Sequence, residues 1–298
     1  MRGQPLRGRI ALVTGGSRGL GLEIARQYLA AGASVALCAR KSDAKDAANT
    51  ADAAAAGLRS DLTEHQDVIG ITADVAQQAD VARLHAEVLR HFGRIDVLVN
   101  NAAVQGPMGP IESVDWQAWV HALEINLMGS VLMTRAVLPA MKKQGWGRIV
   151  QLSGGGANSP MPGISAYAVS KAAIVRFVET LAREVEGTGV EINALAPGAL
   201  NTRMLDEVLA AGPEKVGSAY FARAIQQKDT GGSDLQEAAA LAVFLGSDAS
   251  RGISGRLISA VWDNWRCLPE HVATVANSDV YTLRRITGKD RGLDWGDR

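Results

Sequence analysis

Cysteine is almost missing from this chain of 298 residues: there are two, Cys38 and Cys267. Two thiols cannot staple a small, loop-rich scaffold, so the fold must rest on an apolar core, and a reducing, cytoplasmic setting is expected. Charge of one sign is lacking as well. Lys plus Arg and Asp plus Glu number 31 each, and basic residues occur only as scattered short pairs. That removes the electrostatic footprint of a nucleic-acid binder. No apolar run approaches a membrane span, and Ile10–Val13 is too short for the apolar region of a secretory leader. The histidines, at 65, 85, 91, 121 and 271, show no metal-ligand spacing. A Gly-x-x-x-x-Gly-Lys phosphate loop is absent too, which argues against a kinase.

What is present is a regular alternation. Ile10–Val13 is a short apolar run ending at a glycine loop, the pattern of a strand buried on both faces. Leu20, Ile24, Tyr28 and Leu29 then recur at helical spacing, and Gly32 is placed to stop that helix. Strands are expected at Val35–Ala39, Val68–Ala73, Ile95–Val99, Arg148–Leu152, Val190–Leu195 and Arg256–Ala260. Between them lie helices marked by Val81, Leu84, Val88 and Leu89, then at Trp116–Lys142, Ala166–Glu186 and Leu235–Leu245. The alanine-rich stretch Asp43–Ala56 reads as a surface helix. This succession predicts one α/β domain, a Rossmann-type doubly wound parallel sheet with helices on both faces. Right-handed crossovers bring the loops after the strands to one edge, where ligands bind.

The segment Thr14-Gly15-Gly16-Ser17-Arg18-Gly19-Leu20-Gly21 falls between the first strand and the first helix. Glycines there permit a tight turn, and a helix N-terminus offers N–H groups and a positive dipole end to a pyrophosphate. Further along come Asp74-Val75, Asn100-Asn101-Ala102-Ala103, Asn126, Tyr167-Ala-Val-Ser-Lys171, and Pro197-Gly198 with Thr202. In this order the motifs resemble those of the short-chain dehydrogenase/reductase family, whose nucleotide motif is TGxxxGxG. The likeness runs over about residues 7–262.

The resemblance implies a nicotinamide cofactor. Gly15, Ser17, Arg18, Gly19, Leu20 and Gly21 would hold its phosphates. Asp74 and Val75 would meet the adenine, Asn100 would steady the fourth strand beside the adenosine ribose, and Asn101 and Ala102 would contact the cofactor. Pro197, Gly198 and Thr202 would meet the nicotinamide. Many relatives carry an acid at the end of the second strand that accepts the ribose hydroxyls and repels a 2′-phosphate. Here that position is Ala39, followed by Arg40, and Arg18 stands in the glycine loop. Two guanidiniums suit an extra phosphate, so NADP(H) is favoured over NAD(H).

Tyr167 and Lys171 are four apart and share a helix face. A free phenol, with a pKa near ~10, shuttles protons poorly at neutral pH, and a neighbouring ammonium favours its ionised form. The family's pattern makes Tyr167 the acid/base, with Lys171 on the nicotinamide ribose and Asn126 bending its helix and holding a water linked to the lysine. The family's serine usually precedes the tyrosine by thirteen residues, a position held here by Gly154. Either Ser153, one residue earlier, serves through a longer loop, or Ser159 replaces it; Ser153 is the favoured candidate.

Residues 203–232 occupy the place of the family's substrate lid, with Leu205, Val208, Leu209, Tyr220 and Phe221 beside Lys215, Arg223 and Lys228. Residues 263–298 are an atypical extension expected to pack on the domain or on a neighbouring subunit. The reading is therefore an NADP(H)-dependent oxidoreductase acting on a small carbonyl or alcohol, a homo-oligomer (dimer or tetramer) with no nucleic-acid or membrane partner. An epimerase or dehydratase, or a nucleotide-binding sensor without turnover, is the alternative.

Overall fold

A computed structural model describes residues 3–41 and 49–296. Seven parallel strands form one sheet in the order β3-β2-β1-β4-β5-β6-β7. They are β1 Ile10–Thr14, β2 Ser34–Ala39, β3 Val68–Thr72, β4 Val97–Asn100, β5 Gly147–Leu152, β6 Val190–Ala196 and β7 Leu257–Ser259. The order reverses between β1 and β4, and the crevice outside that switch point is where such sheets bind ligands.

The central strands are apolar without alternation because helices cover both faces. On one face α1 (Gly19–Ala30) and α10 (Leu235–Leu245) bury Ile24, Tyr28, Leu241 and Leu245 against Val13 and Val35. On the other, α3 (Gln78–Phe92), α5 (Ser130–Gln144) and α6 (Ser165–Glu184) bury Leu84, Met133 and Val178 against Leu12 and Leu98. Each such side chain contributes roughly 1.5–3 kcal/mol. Gly93 and Gly145 end α3 and α5 in the left-handed region, which glycine enters without a Cβ penalty.

The expected strands and helices are present within a residue or two, with one exception. Trp116–Lys142 is not a uniform α-helix. It comprises α4 (Trp116–Leu123), a π-helical turn at Glu124–Gly129, and α5. Residues 43–48 of the expected helix Asp43–Ala56 lie outside the described residues; beyond them α2 covers Ala51–Leu58, begun by Thr50, whose hydroxyl accepts from Ala53 N.

Three helices, α7 (Arg203–Ala211), α8 (Pro213–Val216) and α9 (Ser218–Thr230), make a cover with its own small core of Leu205, Val208, Val216 and Ala224 packed on Ile164. After β7 the chain folds back on its own domain. Trp265 is buried beside Phe244, ring centroids 5.4 Å apart. The buried Arg256 guanidinium donates to the carbonyls of Val275, Ser278 and Val280. Leu257 N donates to Tyr281 O at 2.8 Å, so the tail occupies hydrogen-bonding positions on the β7 edge. Among the described residues no helix is long and apolar enough to cross a membrane.

Candidate active site

A cavity of about 1500 Å³ runs along the carboxyl ends of the strands, from the β2–β3 side to the tail. At one end the glycine loop is latched in place. Thr14 Oγ1 accepts from Asn101 N and Ala102 N at 3.0 and 3.1 Å, and the Asn101 side-chain amide donates to Thr14 O and Gly15 O. A Cβ on Gly21 would lie 2.3 Å from Gly15 O, and one on Gly15 would lie 2.9 Å from Ala102 Cα. Only glycine fits either place. The first turn of α1 holds no acidic residue and no side-chain cap, which leaves its dipole open to phosphates. This cradle fits a dinucleotide pyrophosphate.

Every cofactor-contact residue expected above lines the cavity, whereas Asn100 does not. Asn100 is instead buried, and its amide donates to Ser130 O and Thr134 Oγ1, tying β4 to α5. It steadies the fourth strand from within the core. Asn126 is also absent from the wall. Its amide group spans Val104 N and O at 2.8 and 2.9 Å and reaches Ser170 Oγ on α6. Its main-chain carbonyl accepts from Ser130 Oγ. It therefore braces the loop after β4 against α6 from within the π-helical turn, a departure from α geometry that recurs at functional sites.

Tyr167 and Lys171 both face the cavity. Lys171 Nζ donates to Leu152 O at 2.8 Å and lies 5.5 Å from the Tyr167 ring centroid. Burial pushes the Lys171 ammonium down to about 8. Burial also raises the Tyr167 phenol to about 12, and the phenol of Tyr220, from the cover helix α9, acts in the same direction. Desolvation, and not the neighbouring lysine, sets the direction of the phenol's shift. At neutral pH the Tyr167 phenol keeps its proton.

Two neighbours, Ser153 and Gly154, stand where one serine was expected. Ser153 Oγ is buried in the cavity wall with no hydrogen-bond partner in the protein. Gly154 is the residue beside the phenol: a Cβ there would lie 2.4 Å from Tyr167 Oη. Ser159, the other candidate, is exposed and absent from the cavity wall. Lys41, Gln105, Tyr220, Trp262 and Tyr281 also line the cavity. Tyr220 was legible as part of the cover segment 203–232; Lys41, Gln105, Trp262 and Tyr281 carried no local signal that placed them at the cavity.

A family model for short chain dehydrogenase matches residues 9–212. The chain belongs to the short-chain dehydrogenase/reductase family. It is 39% identical over 201 residues to human dehydrogenase/reductase SDR family member 4, covering 67% of this chain and 69% of that protein. Among solved structures, NAD+-bound xylitol dehydrogenase superposes with a TM-score of 0.75 at 28% identity, over 85% of this chain and 98% of that one. A gluconate 5-dehydrogenase from Burkholderia cenocepacia, in complex with NADP and tartrate, gives 0.73 at 28% identity, over 86% and 94%. This short-chain dehydrogenase/reductase is therefore an NAD(P)-dependent oxidoreductase acting between CH–OH and carbonyl groups. Among the described residues no group of three His, Cys, Asp or Glu side chains is placed to hold a metal ion.

Proposed function

We propose that this enzyme is an NADP(H)-dependent reductase of a carbonyl, or in reverse a dehydrogenase of a secondary alcohol, with Tyr167 as its acid/base. The observation that carries the reading is a buried Tyr167 and Lys171 in the same cavity as a glycine cradle shaped for a dinucleotide. When bound, the reduced nicotinamide supplies the hydride. Tyr167 gives its phenolic proton to the substrate oxygen, and Ser153 Oγ, unspent on any protein group, donates a second hydrogen bond to that oxygen. Lys171 would hold the ribose hydroxyls of the bound cofactor, and Pro197, Gly198 and Thr202 would orient its nicotinamide ring.

NADP(H) is favoured by charge. The end of β2 offers Ala39 in place of a carboxylate, and Arg18, Arg40 and Lys41 line the cavity there. Direct titration tests this. NADPH is expected to bind at least about tenfold more tightly than NADH, and Arg40→Ala to reduce that ratio about tenfold, since one charge-assisted bond contributes roughly 1.5–3 kcal/mol. Equal affinity, or a preference for NADH, would overturn the charge argument.

The pH profile follows from Lys171. Its folded value lies below the ordinary 10.5, so the ammonium is present below about 8 and lost as pH rises through it. Carbonyl reduction is expected to show a kcat/KM level at neutral pH that declines above about 8. A profile level to pH ~10, the range of an unperturbed lysine, removes the charged Lys171 from the mechanism.

The free thiols Cys38 and Cys267 accord with a reducing, cytoplasmic location. For a homo-oligomer, dimer or tetramer, the support is Trp116, 62% exposed and stacked on Trp119 at 5.4 Å.

A further inference from the structure

We propose that the segment after β7 forms a substrate-recognition wall in which Trp262 and Tyr281 receive a flat, uncharged apolar or aromatic substituent of the substrate. This rests on the carbonyl/alcohol reading above and specifies the substrate class for it. Four observations converge.

The wall is continuous with the reaction centre. Trp262, Asp263, Tyr281 and Leu283 line the same cavity as Tyr167 and Ser153. The junction is close: a Cβ on Gly198 would lie 2.6 Å from Val261 Cγ2, so the tail leaves β7 directly against the loop proposed to meet the nicotinamide.

Tyr281 is held in an uncommon backbone state. Its φ is 62°, the sole positive value at a non-glycine position among the described residues. Anchors on both sides enforce it. Arg256 Nη1 donates to Val280 O, Leu257 N donates to Tyr281 O, and Leu283 N donates to Glu179 Oε1. A residue kept in a sparsely populated conformation by this many bonds has its side chain aimed by the fold.

Trp262 has no packing duty. It is 85% exposed, whereas Trp265, three residues on, is buried and anchors the tail. Ser259 Oγ accepts from the main-chain N–H of Val261 and Trp262, which sets the turn that presents the indole.

The polar group of the wall is directed inward. Asp263 Oδ2 accepts from Ser259 N at 2.7 Å. A half-buried carboxylate beside two aromatic rings disfavours an anionic substituent and leaves the rings as the recognition surface.

Trp262→Ala provides the test, because so exposed a side chain supports no core; Tyr281→Ala repeats it from a ring that also packs against the core, with thermal melting to confirm the fold. The probes are a naphthyl methyl ketone and acetone, with binding measured by titration calorimetry and turnover by NADPH oxidation. Each variant is expected to raise the Kd and KM for the naphthyl ketone about tenfold or more, and to leave kcat, acetone KM and NADPH affinity within about twofold. Unchanged naphthyl-ketone binding in Trp262→Ala overturns the wall, as does a wild-type protein that binds acetone and the naphthyl ketone alike. If the wild type binds the naphthyl ketone through Trp262 yet oxidises no NADPH with any carbonyl, the recognition surface stands and the oxidoreductase chemistry fails.

Discussion

Tyr167→Phe is expected to lower carbonyl reduction by about 10²–10⁴-fold while leaving NADPH affinity within about threefold. The phenol sits in the cavity wall with its proton retained by burial, and removing one oxygen atom deletes the proton donor without creating a void. The ring remains to cover Lys171, whose hydrogen bond to Leu152 O does not involve the phenol. Steady-state kinetics with a reducible ketone, alongside nucleotide titration, checks both halves. Undiminished turnover would remove Tyr167 from the chemistry, and loss of nucleotide binding along with turnover would assign it to the cradle.

Gly154→Ser is expected to reduce kcat about 10²-fold, although it restores a serine thirteen residues before the tyrosine. The new Cβ would stand 2.4 Å from Tyr167 Oη, so the phenol must move by about an ångström, and a displacement of that size costs an acid/base on the order of 10²-fold. The backbone at Gly154 is extended, with φ −179°, so the penalty comes from side-chain space and not from glycine's conformational freedom. Gly154→Ala should behave alike. Ser153→Ala separates the roles of the two neighbours: loss of a hydrogen bond to the developing oxyanion lowers kcat by roughly 10²–10³-fold. A faster Gly154→Ser enzyme would show that the cavity has room at the phenol and lacks a hydroxyl there. A Ser153→Ala enzyme with wild-type turnover would strike Ser153 from the mechanism.

Much of the fold was legible because its signals are local. Ile10–Thr14 is apolar at every position but its last, the next eight residues contain the glycines of a turn, and Leu20, Ile24, Tyr28 and Leu29 mark a helical face. Each requirement acts within one turn or one strand, so it is written in consecutive residues. Departures arose where a distant partner decided the outcome. The π-helical turn at Glu124–Gly129 exists where Asn126 reaches Val104 and Ser170, 22 and 44 positions away. The shift of Tyr167 is upward because burial, which only the packed fold creates, desolvates a group that the Tyr-x-x-x-Lys spacing alone would lower.

The amino-acid sequence by itself determined the succession of strands and helices, the glycine cradle and the pairing of Tyr167 with Lys171 on one helix, because periodicity, turn chemistry and helix geometry are short-range. Tertiary structure alone decided which residues share the cavity. It set Gly154 against the phenol, left Ser153 Oγ unpartnered, and carried Trp262 and Tyr281 from an unreadable tail to the far wall. Those meetings depend on the paths of a cover and a tail that fold back across the sheet edge, and no local pattern encodes where such segments land.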